Sequence, residues 1–237
     1  MAKVKPAAVF LNQTLKPASD LHVKPEESRF APLQPAALKP VFPHGIRRGR
    51  LLDLHGKRSS GRLSLCLHIL AEATQCGEIC AIVDLYNSFD PASAARAEVR
   101  LEKIVWVRCN GHAGHAIRAA DLLLHAGGFG VVLLDLCEAP ARVLNHIPLS
   151  YWYRFRRAVE NTPAIVLICA DLPQTKSCAK NNVQMKFKAL HWSGCAPFLL
   201  LRGLETEAVQ QKLASIHPEP LFLHSAKGAD VRFLKTA

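Results

Sequence analysis

Between Leu54 and Ser64 the chain reads LHGKRSSGRLS, with Gly56 and Gly61 separated by four residues. Gly-x4-Gly followed by Lys and a hydroxyl is the pattern of a loop that wraps phosphate. Its glycines let backbone N–H groups converge on phosphate oxygens, and the helix that follows adds the positive end of its dipole. Here Gly56, Ser59, Ser60 and Gly61 keep the cradle, but the cation is Arg62 and the next residue is Leu63. Arginine retains the charge in a bulkier planar group that does not interchange with lysine. Leucine has no oxygen for a magnesium ion. Ser64 stands one residue late, about 100° around a helix, where its hydroxyl substitutes poorly.

A phosphate loop needs a strand before it and a helix after it, and the flanking residues supply both. Residues 48–56 read as a strand, and 62–75 as a helix with Leu63, Leu67, Leu70 and Ala71 on one face. Further strands follow in EICAIVDL, KIVWVRC, FGVVLLDL and AIVLICAD, unbroken in apolar character as doubly covered parallel strands are. Between them lie helical stretches. One opens at Asp90-Pro91, one aligns Ile117, Ala120 and Leu124, and one (149–163) places Trp152, Phe155 and Val159 on a stripe. After them VQMKFKAL alternates strictly, the half-exposed pattern of an antiparallel edge, and FLLLRG reads as another such strand. The expected fold is an α/β three-layer domain, mostly parallel with antiparallel C-terminal strands. Asp135, ending the fourth strand, stands where such folds place the carboxylate that supports a magnesium shell.

This order resembles the ATPase core of the RecA recombinases over roughly residues 45–170. The resemblance is carried by the Ser59-Ser60-Gly61 triplet opening a helix, by Asp84 and Asp90-Pro91 downstream, and by Asp135. It implies a RecA-like P-loop NTPase core and ATP with magnesium as its cofactor. Where that family has its catalytic glutamate, this chain has Tyr86, a phenol that is a poor base at neutral pH. Where the family has a glutamine at the end of the fifth strand, this chain reads LICADLP. Lysine, metal hydroxyl and general base are all replaced together, so turnover is not expected and no catalytic residue is assigned.

A short, degraded chain of this kind is similar to the ImuA group of accessory proteins in damage-induced mutagenesis, which work beside a translesion polymerase. The entry IRRGRLLDLHG carries that likeness, with Asp53 where glutamate is frequent. What it implies is a DNA repair accessory of the SOS response, acting through translesion or repair proteins, single-stranded DNA or self-association. An active ATP-dependent recombinase is the alternative, with Arg62 and a displaced hydroxyl still serving. An unrelated phosphate-loop kinase is a third, which the lack of a separate substrate lid disfavours.

Charge is unevenly spread. Residues 1–50 hold 9 Lys and Arg against 3 Asp and Glu, residues 51–140 hold 8 against 10, and residues 141–237 hold 13 against 6. Basic flanks around a near-neutral centre favour a polyanionic partner. Candidate DNA contacts are Lys176, Lys180, Lys186 and Lys188, in a polar stretch at the place of the recombinases' mobile DNA-binding loop, together with Arg154 and Arg157 at i, i+3. A solvated loop and an amphipathic helix covering a sheet are the plainer readings of those two stretches.

Seven of the 15 prolines fall in the first 45 residues, so residues 1–44 read as an extended basic arm. Residues 45–203 read as the core and 204–237 as a tail. The eight cysteines include no C-x2-C pair and mostly sit in apolar runs, reading as reduced core thiols with no metal site. His112 and His115, in GHAGH, read as part of a solvated loop. No signal peptide or membrane span is expected, which points to a cytoplasmic protein.

Overall fold

The computed structural model describes residues 31–35, 39–179, 181–195, 198–210 and 219–224. Eight strands form one sheet in the order β3-β2-β4-β5-β1-β6-β7-β8. They are β1 (Arg50–Gly56), β2 (Cys80–Asp84), β3 (Ile104–Arg108), β4 (Val131–Asp135), β5 (Ile165–Ala170), β6 (Asn181–Ser193), β7 (Leu200–Gln210) and β8 (Glu219–His224). The first six pair in parallel, and β6-β7-β8 pair antiparallel. β2, β4 and β5 are buried at every position, because helices cover both faces of this part of the sheet.

Helix α1 (Arg62–Gln75) packs on one face, where Leu65, Cys66, Ile69 and Leu70 meet Leu52, Leu54, Ile82, Leu133 and Leu167. Helices α3 (Ala113–Ala126) and α5 (Leu149–Val159) cover the other, with Ile117, Trp152 and Phe155 against Val83, Leu134 and Ile168. Trp152 and Phe155 stack edge to face with ring centroids 5.8 Å apart, a favoured aromatic geometry. Short helices α2 (Pro91–Arg96) and α4 (Ala141–Asn145) complete the layers. The Asp90 carboxylate caps α2, accepting from the N–H groups of Ala92 and Ser93, with Pro91 in the first turn. The expected three layers are present.

Four expectations change. On α1 the expected Leu70 and Ala71 are buried, together with Arg62, Leu65, Cys66, Ile69, Ala73 and Thr74, whereas Leu63 and Leu67 are only half-buried. β6 is an interior strand at its start, because Val183, Gln184 and Met185 pair with β1 on one side and β7 on the other. The alternation holds at Val183 and Met185, then fails at Phe187, which is exposed as β6 runs on past β1 beside β7. The boundary at residue 203 falls within β7, and β8 extends the sheet beyond it. At the other end, the last residues assigned to the arm belong to the core: Leu33, Val41 and Phe42 are buried, and Leu33 bridges Ile46. Residues 1–30 lie outside the described residues.

Candidate functional site

The loop between β1 and α1 is tightly enclosed. Gly56, Ser60, Gly61 and Arg62 are buried, and only Lys57, Arg58 and Ser59 face solvent. Gly61 enters α1 at φ 83°, a left-handed conformation that costs any other residue. A Cβ there would lie 2.7 Å from Leu223 Cδ1 and 3.0 Å from Leu204 Cδ2. The antiparallel strands therefore roof the start of the helix. A Cβ on Gly56 would meet Met185 O at 2.4 Å and Ser60 Oγ at 2.7 Å. Buried Thr206 brings its hydroxyl within 2.7 Å of Ser60 O and 2.8 Å of Lys186 O, tying the loop to β6 and β7.

Arg62 turns its guanidinium back into the protein. Nη1 donates to Gly56 O, Nη2 to Asp171 Oδ1 at 2.5 Å, and Nε to Cys137 Sγ at 3.2 Å. All three nitrogens of the fork are thus engaged by the loop's own first glycine and by residues that follow β4 and β5. Leu63 is half-buried and Ser64 exposed, so neither offers an oxygen inside the loop. Outside it, Arg58 pairs with Glu138 at 3.2 Å.

The two strand-end carboxylates stand side by side, Asp84 opposite Asp135 in the register of β2 and β4. Asp84 accepts from the N–H groups of Ser88 and Phe89 and from Trp106 Nε1. Asp135 accepts from the Ser88 hydroxyl at 2.6 Å and the Cys137 N–H at 3.0 Å. These bonds shape the turn after β2, and Tyr86 stands at its exposed edge near Gly111.

The described candidate DNA contacts lie on α5, on the turn after β5 and on β6. Arg154 pairs with Asp121 of α3 at 2.7 Å, and Arg157 lies exposed on the same helix. Exposed Lys176 sits in the turn after β5. That turn is anchored by buried Asp53, whose Oδ2 accepts from Gln174 N, Thr175 N and the Thr175 hydroxyl. Tyr153 Oη and Ser177 Oγ, 3.3 Å apart, link α5 to the turn. Lys186 and Lys188 are exposed on β6, within the sheet, and Lys188 pairs with Glu207. Lys180 lies outside the described residues. His112 precedes α3, its ring centroid 4.9 Å from that of His115.

Two features escaped the sequence reading. One is the exposed apolar row on β6, β7 and their connection: Phe187, Leu190, Trp192, Phe198, Leu199 and Leu200. The strict alternation of VQMKFKAL places Phe187 on the same side as buried Val183 and Met185, yet it is exposed. The other is the meeting of Asp135, Cys137 and Cys169 at the ends of β4 and β5, with ligand atoms all within 4.8 Å of one another.

Residues 40–143 match the family model of the RecA N-terminal domain. The core has a RecA-like fold. RecA proteins of Laribacter hongkongensis and Paramagnetospirillum magneticum are 34% and 35% identical over 95 residues, 40% of this chain and 27% and 26% of theirs. The chain thus spans about a quarter of the length of the curated relatives it matches. A crystal structure of the RadB recombinase superposes with a TM-score of 0.59, covering 82% of this chain and 96% of that one at 12% identity. The RecA-like fold therefore reaches past the matched sequence into β5 and the antiparallel strands. Among the described residues no helix is long and apolar enough to cross a membrane.

Proposed function

We propose that this RecA-like chain is a DNA repair and recombination accessory that neither binds nor hydrolyses ATP productively and works by contact with other macromolecules. The observation that carries this reading is the fate of Arg62. Its three donor nitrogens are spent on Gly56 O, Asp171 and Cys137, so the one cation at the lysine position is committed to its own chain. Magnesium would also lack its hydroxyl at Leu63, and Tyr86 stands where the carboxylate base is expected. ATP and magnesium are accordingly not its working cofactors. The partners proposed are repair or translesion polymerase proteins of the SOS response in the cytoplasm, with single-stranded DNA as a second ligand and self-association as a third contact.

The exposed row on β6 and β7 favours the DNA contact. Phe187, Trp192 and Phe198 offer faces for base stacking, and Lys186 and Arg202 are exposed on the same strands. The deciding assay is ATP hydrolysis by purified protein with and without single-stranded DNA, beside a salt titration of DNA affinity. The expected result is salt-sensitive binding without turnover, its slope counting the phosphates neutralised. DNA-stimulated hydrolysis that disappears in Arg62→Ala overturns the reading and favours an active recombinase.

A further inference from the structure

Beneath the loop, four side chains from separate parts of the chain converge. β4 and β5 are neighbours in register, Asp135 opposite Cys169. Cys137, two residues beyond β4, brings its Sγ to 3.3 Å from Cys169 Sγ. Cys66, fully buried on α1, lies in the same core cluster as Cys137 and Cys169. Asp135, Cys137 and Cys169 bring their ligand atoms within 4.8 Å of one another, with Cys66 in the core beside them, and every exposure is 6% or less.

We propose that Cys137, Cys169 and Asp135, with Cys66 closing in from α1 as the fourth ligand, form a binding site for a single zinc ion that clamps α1 to the ends of β4 and β5. Three observations support it. First, the donor set is right: thiolate sulfur selects zinc over magnesium, which wants a shell of oxygens. Second, the spacing is right. Sulfurs on a tetrahedral zinc stand about 3.8 Å apart, given Zn–S bonds of about 2.3 Å. The thiols of Cys137 and Cys169 need only part by a few tenths of an ångström. Third, the outer contacts are those a zinc–thiolate centre uses. The Arg62 Nε–H points at Cys137 Sγ, where it would stabilise a metal-bound thiolate. The Ser88 hydroxyl and Cys137 N–H hold the Asp135 carboxylate in place.

The three sulfurs enter as thiols. Contact with Cys169 and burial push the Cys137 thiol far up, burial does the same for Cys66, and Cys66 and burial outweigh the opposing effect of Cys137 on Cys169. As aqueous Zn2+ forms its three Zn–S bonds, the three S–H protons pass to buffer and the ion's water ligands leave. No oxidation is involved, and affinity rises with pH. This site does not depend on the accessory reading, because an ATPase could carry it too.

The test uses the full chain. Zinc content is measured after purification without chelator, and the stripped protein is titrated with Co2+ as a coloured stand-in. One metal per chain is expected, with the intense thiolate-to-cobalt band of tetrahedral sulfur ligation. Cys137→Ser should weaken Co2+ binding by at least about a hundredfold. Cys76→Ser and Cys195→Ser, at exposed cysteines, should leave it unchanged. Should Cys137→Ser fail to fold, the wild-type band decides alone. Wild-type protein that takes up no zinc and develops no cobalt–thiolate band overturns the proposal. So does a band that persists undiminished in folded Cys137→Ser.

Discussion

Removing the Arg62 side chain separates a ligand-binding arginine from an internal brace. A cation kept free for phosphate contributes little to folding, and its loss appears only in ligand affinity. Arg62 instead holds three groups together, and Arg62→Ala strips each of a donor. Gly56 O is part of a buried residue, and leaving such an acceptor unpaired costs about 1–3 kcal/mol. The pair with Asp171 adds less than a buried pair would, because that carboxylate side chain is 38% exposed and can rehydrate. The cavity beside Cys137 adds a further increment. The expected total is about 2–4 kcal/mol, read as a fall of about 1 M in the urea midpoint. Arg62→Lys keeps the charge but has a single nitrogen for three acceptors, so it should lose roughly half as much. Lys57→Ala, at the exposed tip of the same loop, should stay within about 0.5 kcal/mol of wild type. If Arg62→Ala matches wild type in urea, the guanidinium is not a brace, and the claim that the loop has consumed its own cation fails.

Three other substitutions probe the elements around the loop. Asp53→Ala leaves Gln174 N, Thr175 N and the Thr175 hydroxyl without their shared acceptor. It should cost about 3 kcal/mol and speed proteolysis within residues 171–179. Gly61→Ala forces a side chain into a left-handed position and against Leu223, so it should cost about 2–4 kcal/mol, measured by thermal unfolding. His55 is buried beside Asp53, and burial, outweighing that carboxylate's pull, lowers its pKa below 6.5. The unfolded chain then takes up the proton more readily. Stability from this group is complete above about pH 6.5 and is lost as pH falls toward the lowered folded value. His55→Gln should reduce the drop in urea midpoint between about pH 7.5 and pH 5.5; an equal drop in both proteins refutes the assignment.

The parallel part of the sheet could be read from hydropathy because covered strands such as VVLLD tolerate no polar face. The α5 stripe could be read because Trp152, Phe155 and Val159 leave one choice of buried side. The phase of α1 was ambiguous. Leucines at 63, 65, 67 and 70 fit more than one stripe, and the stripe chosen by packing begins with an arginine. A charged residue enters a core only when partners await it, and Gly56, Cys137 and Asp171 are invisible to local periodicity. The same limit hid the thiol cluster. Cys66, Cys137 and Cys169 are far apart in sequence and meet because β4 and β5 are adjacent beneath α1, an order that hydropathy does not encode. The exposure of Phe187 was missed for a related reason. Alternation identifies two faces, but only the strand's neighbours decide where along β6 the cover stops.

The altered loop itself was apparent from residue types alone, and the structure adds how the replacement arginine is used. The most direct measurement of that use is the thermal stability of the full chain with and without Mg-ATP at millimolar concentration. A ligand that binds the folded state raises the transition in proportion to its affinity. No shift is expected, in wild type or in Arg62→Lys. A magnesium-dependent rise in wild type that Arg62→Ala abolishes would contradict the account.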